Sequence, residues 1–270
     1  MRPALVLLHS SGASARQWDV LARSLSDAFD VHALELHGHG ARAPWPGRAP
    51  LTLADEAALV DTLIERRGSV HLVGHSYGGA VALDVACRRP DAVRSLAVYE
   101  PVLFRALFAD GASAAQARAV RQVAGIVQEL VAQGREAAAA ERFVDFWSGS
   151  EAWARMPAAR QTSIAARMRS VARHFDAAFA AADPRAPLAG QRLPRLVLTG
   201  ADTVPATWRI GQLLRAAWPQ AEHVALPGLD HMGPLTHAAA VNHCITDFLL
   251  RQVEPARRPA APSLLQPATA

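Results

Sequence analysis

The chain contains no lysine. All 28 of its basic residues are arginine, and against 24 acidic residues they leave a formal net charge of only +4. They are spread along the chain with no aromatic-interleaved basic patch, which argues against a nucleic-acid footprint. Cysteine is nearly absent as well. Cys87 and Cys244 lie far apart in segments that read as helix, offering neither a disulfide framework nor metal-ligand spacing, so two buried free thiols are expected. Long apolar runs are also missing. No stretch approaches the roughly twenty residues that span a bilayer, and the run Ala4 to Leu8 after Met1-Arg2 meets His9 too soon for a signal peptide. A cytoplasmic protein with neither a membrane nor a nucleic acid as partner is the expectation these absences leave.

What is present is core-forming material. With 270 residues, 51% hydrophobic and 19% charged, the chain can bury one sizeable core with room for a smaller insertion. Short apolar runs alternate with helical patterns. Ala4 to Leu8 reads as a buried strand, and Ser14 caps a helix whose core face is Trp18, Leu21 and Leu25. Val31 to Leu36 is the next strand. A helix opens at Thr52, puts Leu59, Val60, Leu63 and Ile64 on its core face and ends at Gly68. Strands follow at Leu96 to Tyr99, Leu196 to Thr199 and His223 to Leu226, with a last helix carrying Val241, Ile245, Phe248 and Leu249. Such alternation predicts a parallel sheet covered on both faces.

The chain is organised around Val70-His71-Leu72-Val73-Gly74-His75-Ser76-Tyr77-Gly78-Gly79. An apolar run enters Gly-x-Ser-x-Gly and leaves as a helix former, so Ser76 stands at the tip of a strand–turn–helix. Gly74 and Gly78 spare the turn two Cβ atoms where strand and helix approach closely. The first amides of the new helix then face any oxyanion that forms when Ser76 attacks a carbonyl. The small-residue loop His9-Ser10-Ser11-Gly12 follows the first strand. Its Ser11 amide, or in the alternative that of Ser10, is expected to join the Tyr77 amide as the second donor. His231, in the loop after the last strand, hangs where a general base must hang to reach a serine several strands away. His9, His37 and His39 have no acidic or cysteine companion in their spacing, so glycine-flanked turns explain them better than a metal.

From Val102 to about Leu193 the alternation stops. Helical periodicity without strands marks this stretch, with Val120, Val123, Ile126, Val127, Leu130 and Val131 on one apolar face and Phe143, Phe146 and Trp147 on another. It reads as a helical insertion placed to roof the site over Ser76. Its arginines, Arg160, Arg167, Arg169 and Arg173, suit a solvated face or a grip on a substrate carboxylate. The expected organisation is a core over 1–101, a helical cap over 102–193, core again over 194–252 and a flexible, proline-interrupted tail over 253–270.

Together, His9-Ser10-Ser11-Gly12, Gly38-His39-Gly40, Gly74-His75-Ser76-Tyr77-Gly78-Gly79 and Gly228-x-x-His231 resemble the α/β-hydrolase fold superfamily with a helical cap, over about residues 3 to 252. The chain starts directly at the strand before the oxyanion loop, so the resemblance implies a mostly parallel sheet of about six strands flanked by helices. It also implies a triad acid, for which two carboxylates qualify. Members commonly place it in the loop after the strand ending near Thr199, where Asp202 stands, although Thr203 occupies the more usual spacing. Others place it at the end of the strand after the serine helix, where Glu100 sits. The reading favours Glu100, with Asp230 turned away. The activity implied is two-step acyl transfer from an ester, thioester, lactone or C–C substrate of small size, with no cofactor. A cofactor-free perhydrolase or a non-catalytic receptor on the same fold is the alternative.

Overall fold

The computed structural model describes residues 2–253. Six strands form one sheet: β1 Ala4–Leu8, β2 Asp30–Leu34, β3 Val70–His75, β4 Val93–Tyr99, β5 Arg195–Gly200 and β6 Glu222–Leu226. Their order is β2-β1-β3-β4-β5-β6, and every neighbouring pair is parallel. The central strands β1, β3 and β5 are buried at every residue, as continuous apolar runs in a doubly covered sheet should be, whereas β2 and β6 are half-buried edges.

Side chains alternate between the two faces. Leu5, Leu7, Val73, Tyr99, Leu196 and Leu198 pack with Trp18, Leu21 and Leu25 of the first helical segment and with Val241, Ile245, Phe248 and Leu249 of the last. That places α1 (Asp19–Leu25) and α12 (Ala238–Val253) on one face. Val6, Leu8, Leu72, Leu96, Val98 and Val197 meet α2 (Leu53–Arg67), α3 (Tyr77–Arg88) and α10 (Pro205–Ala217) on the other. The α2 boundaries follow from its ends. Thr52 and Asp55 form a reciprocal capping box, and Gly68 takes φ 76° just past the last turn.

Between β4 and β5, among the described residues, run six α-helices, a short 3-10 turn at Gly111–Ser113 and no strand: α4 Phe104–Ala109, α5 Ala114–Ala132, α6 Glu136–Ser148, α7 Ala158–Ala165, α8 Met168–Ala180 and α9 Arg185–Ala189. The short helix α11, Gly233–Thr236, follows the loop that carries His231.

Three sequence expectations shift. The second strand ends at Leu34 rather than Leu36, because the Leu36 amide leaves the ladder to donate to His9 Nε2 at 3.1 Å. Leu59 is 39% exposed, and the buried stripe of α2 is instead Leu53, Glu56, Ala57, Val60 and Ile64, a carboxylate among apolar neighbours. Cys87 and Cys244 are free but only half-buried. Of the expected tail, Val253 closes α12 and 254–270 lie outside the described residues.

The topology places the site. The chain leaves β1 for β2 on one side and leaves β3 for β4 on the other, so the loops after β1 and β3 part company at a crevice above the strands' carboxyl ends. Ser11 lies on one lip of that crevice and Ser76 on the other.

Candidate active site

Ser76 links β3 to α3 with φ 55° and ψ −117°, a left-handed conformation a side chain rarely adopts. The turn is this tight because helix and strand nearly touch. A Cβ on Gly74 would lie 2.5 Å from the Gly78 carbonyl oxygen, and one on Gly78 would strike the carbonyls of Leu8 and His9. The Ser76 amide donates to Tyr99 O at 3.0 Å and the Ser76 carbonyl accepts from Ala80 N, which locks the bend between β4 and α3.

The structure brings Ser76, His231 and Glu100 together. Ser76 Oγ lies 2.9 Å from His231 Nε2, and His231 Nδ1 lies 2.7 Å from Glu100 Oε2. All three side chains are buried. Since Glu100 only accepts, the His231 proton sits on Nδ1 and Nε2 is left to accept from the serine hydroxyl. Glu100 directly follows β4, also with a positive φ, 43°. Its other bonds come from Gly200 N and Thr203 Oγ1, both at 2.7 Å. His231 is held from further sides. Its carbonyl accepts from His75 Nε2 at 2.8 Å, and Trp147 of α6 stacks on its ring at 4.4 Å between centroids. Burial keeps His75 neutral, its pKa well below the ordinary histidine value. Tyr99 Oη anchors the same loop through Asp230 O at 2.6 Å.

The other acid considered is not there. Asp202 is exposed, with its amide given to Leu229 O, and the turn instead aims the Gly200 amide and the Thr203 hydroxyl at Glu100. Thr203, at the more usual spacing for an acid, is a donor to the carboxylate that follows β4. Asp230 accepts from Met232 N at 2.8 Å and is turned from the imidazole.

The loop after β1 resolves in the same way. The Ser10 amide donates to Gln17 Oε1 at 3.2 Å, the Gly12 amide to His39 Nε2 at 3.0 Å and the Ala13 amide to Ser10 O at 3.2 Å. Among the described residues the Ser11 amide alone of these four has no protein partner, so Ser10 drops out as an anion donor. The Tyr77 amide, first in α3, has no acceptor within its helix. Gly12 O is gripped by Arg167 Nη1 at 2.9 Å.

His9, His37 and His39 serve as struts. His9 bonds Ser10 O and Leu36 N, and His39 bonds His37 O and Gly12 N. Burial holds His39 well below the usual histidine pKa, which preserves its acceptor nitrogen. No group of three His, Cys, Asp or Glu side chains among the described residues is arranged to hold a metal ion.

Two residues that pattern reading passed over complete the surroundings. His174 of α8 lies 2.8 Å from Ser11 Oγ and Glu56 of α2 lies 3.3 Å from His174 Nε2, both fully buried. Each interrupts an apolar helical stripe, and that interruption is the sequence signal available for them.

A small cavity of about 20 Å³ lies beside Ser76, lined by Ser11, Tyr77, Val102, Phe104, Phe143 and Phe175 among others. Ser11, Phe143 and Trp147 also border a much larger cleft of about 1090 Å³. Arg16, Arg155, Arg160 and Arg167 line this cleft against the acidic Glu35 and Asp230. Arg169 pairs with Glu136, and Arg173 donates to Trp45 O, so these two are spent elsewhere.

Comparison with known proteins agrees with this architecture. A putative carbamate hydrolase, RutD, of Pseudomonas savastanoi pv. phaseolicola is 26% identical over 93% of this chain and 95% of its own. Lipase LipV of Mycobacterium tuberculosis is 38% identical over 37% of this chain and 38% of its own. Several curated relatives are matched over only 34% to 38% of their length. The enol-lactonase of Burkholderia xenovorans LB400 shares the fold, with a TM-score of 0.74 at 22% identity over 93% of this chain and 92% of that one. No helix among the described residues is long and apolar enough to cross a membrane. With the family model matching residues 5–243, the chain belongs to the alpha/beta hydrolase family.

Proposed function

We propose that this protein is a serine hydrolase that cleaves a small acyl compound through an acyl-enzyme on Ser76. The observation that carries the reading is the unbroken line Ser76 Oγ to His231 Nε2 at 2.9 Å and His231 Nδ1 to Glu100 at 2.7 Å. In the first step His231 Nε2 takes the Ser76 proton as Oγ attacks the carbonyl, and the imidazolium is stabilised by Glu100. The Tyr77 and Ser11 amides receive the developing oxyanion, each such donor contributing about 10²–10³ in kcat. His231 returns the proton to the leaving group. Water, deprotonated by the same imidazole, then releases the acid and restores Ser76. Every step uses side chains, backbone amides and water.

The helices between β4 and β5 act as the cap. Phe143, Trp147, His174 and Phe175 from α6 and α8 line the small inner cavity, whose mostly apolar walls favour a short acyl group there. The larger cleft takes the remainder of the substrate. Arg155 pairs with Glu151 and Arg167 with Gly12 O, and the remaining Arg16 and Arg160 favour a remainder with a carboxylate or phosphate, since guanidinium groups grip such anions in a fork. Free cysteines suit a reducing compartment such as the cytoplasm.

A fluorophosphonate probe tests the core of this reading, together with a panel of p-nitrophenyl esters of increasing chain length. Ser76 is expected to be the labelled residue, with turnover best for short acyl chains. A folded protein that takes no label and turns over no ester would instead be a receptor. Turnover of a carboxylic acid with peroxide, exceeding ester hydrolysis, would mark a perhydrolase.

A further inference from the structure

We infer that His174 is a positioning residue that holds both walls of the oxyanion hole, so that the hole is complete only when α8 is seated on the core. The inference rests on the acyl-transfer reading above. One side chain touches both residues whose amides receive the oxyanion. His174 Nδ1 is 2.8 Å from Ser11 Oγ, and its ring lies flat on Tyr77 at 4.0 Å between centroids and 7° between planes. On its far face it stacks against His39, 4.9 Å away, the same His39 that accepts from the Gly12 amide.

The groups facing His174 set its tautomer. Glu56 Oε1 lies 3.3 Å from Nε2, while Glu56 Oε2 accepts from His37 N at 3.0 Å and has Arg42 Nη1 at 3.5 Å. Burial would raise the Glu56 pKa, but the neighbouring His174 and the His37 amide overcome it and keep it a carboxylate. Burial lowers the His174 pKa against the pull of Glu56, with His9 and His37 adding to the lowering. A neutral imidazole beside a carboxylate keeps its proton on Nε2, so Nδ1 accepts from the Ser11 hydroxyl. Ser11 is thereby tied by its side chain while its amide has no protein partner, and the residue lines the cavity it shares with Ser76.

His174 reaches this place from the helical stretch between β4 and β5, not from the sheet that carries Ser76, His231 and Glu100. Glu56 comes from α2. Displacement of α8 would therefore release Ser11 and uncover Tyr77 while leaving the Ser76–His231–Glu100 line intact.

The test uses the full chain, a short-chain p-nitrophenyl ester and an alkylboronic acid, whose tetrahedral adduct on Ser76 places an anionic oxygen in the hole. His174→Phe keeps the stacked ring and loses the bond to Ser11, and Ser11→Ala loses the same bond while keeping both amides. His174→Asn can restore a polar atom near the Nδ1 position. The expected result is a fall in kcat of about ten- to a hundredfold for His174→Phe and Ser11→Ala, with KM within about threefold. Boronate affinity should weaken in proportion to kcat, and His174→Asn should recover part of both. If His174→Phe does not fold, Ser11→Ala alone carries the comparison. Boronate affinity that stays at the wild-type level while kcat falls, or kcat that does not fall, overturns the inference. Wild-type protein that neither hydrolyses the ester nor labels on Ser76 would sink the acyl-transfer reading itself, a separate outcome.

Discussion

Two serine–histidine–glutamate sets meet at Tyr77, and they are built in opposite ways. In the set Ser76, His231 and Glu100, two members stand at strand ends with positive φ, 55° and 43°, and the contacts are 2.9 and 2.7 Å. In the set Ser11, His174 and Glu56 no member has a positive φ, and the contacts are 2.8 and 3.3 Å across three separate elements. A strained backbone persists only where its surroundings over-determine it, and the packed sheet supplies those surroundings for the first set. The second set depends on how α2 and α8 pack against the core. The first takes all its members from the sheet edge and meets the helical insertion through Trp147 on His231, whereas the second draws a member from the insertion itself and reports its position.

The comparison breaks most directly at Ser76. Ser76→Ala is expected to lower kcat/KM by about 10⁴ or more and to abolish fluorophosphonate labelling, with the melting temperature little changed. Label persisting in that variant would place the nucleophile elsewhere. Next in size is the acid. Glu100→Gln should lower kcat by about 10³–10⁴, because the imidazole loses both its fixed tautomer and its counter-charge. Asp202→Asn, at an exposed position, should stay within about threefold, and a reversal of these two results would return the acid to the loop after β5.

A smaller effect concerns stability rather than turnover. His71, buried in β3 and 2.7 Å from Ser95 Oγ, has its pKa pushed down to about 4 by burial, with Arg94 adding to the shift. The unfolded imidazole titrates near 6.5, so below that pH the unfolded chain binds a proton the folded chain refuses. This group's contribution is intact above about pH 6.5 and is lost as pH falls toward 4, by about 3 kcal/mol in all. His39 and His174 are shifted in the same direction. Denaturant unfolding of His71→Asn at pH 7 and pH 5 should show a shallower acid loss than wild type; equal losses would assign the sensitivity to other groups.

The smallest expected change is in the cleft. Arg16→Gln combined with Arg160→Gln should raise KM for a monoester of a dicarboxylic acid about threefold relative to an uncharged ester of equal length, and added salt should narrow the difference. A KM ratio unmoved by the substitutions would leave these arginines to the solvated face.

How much of this was legible beforehand differs from residue to residue. Ser76 could be named because everything that presents it is local: a strand, two glycines without room for a Cβ and a helix start lie within ten residues. His231 could be placed because a loop after the last strand must open at the same sheet edge. The choice between Glu100 and Asp202 was not local. It turned on Thr203 and Gly200 both pointing at a strand-end carboxylate a hundred residues earlier.

The sequence by itself determined the alternation of elements, the parallel sheet and the serine at its edge, since periodicity, capping and turn chemistry act over a few residues. Only the tertiary structure decided which carboxylate faces His231, which amide of the 10–13 loop is left without a partner and that Glu56 and His174 meet behind Ser11. Those outcomes depend on distances between segments brought together by burial, and a buried polar group takes whichever partner the packing delivers.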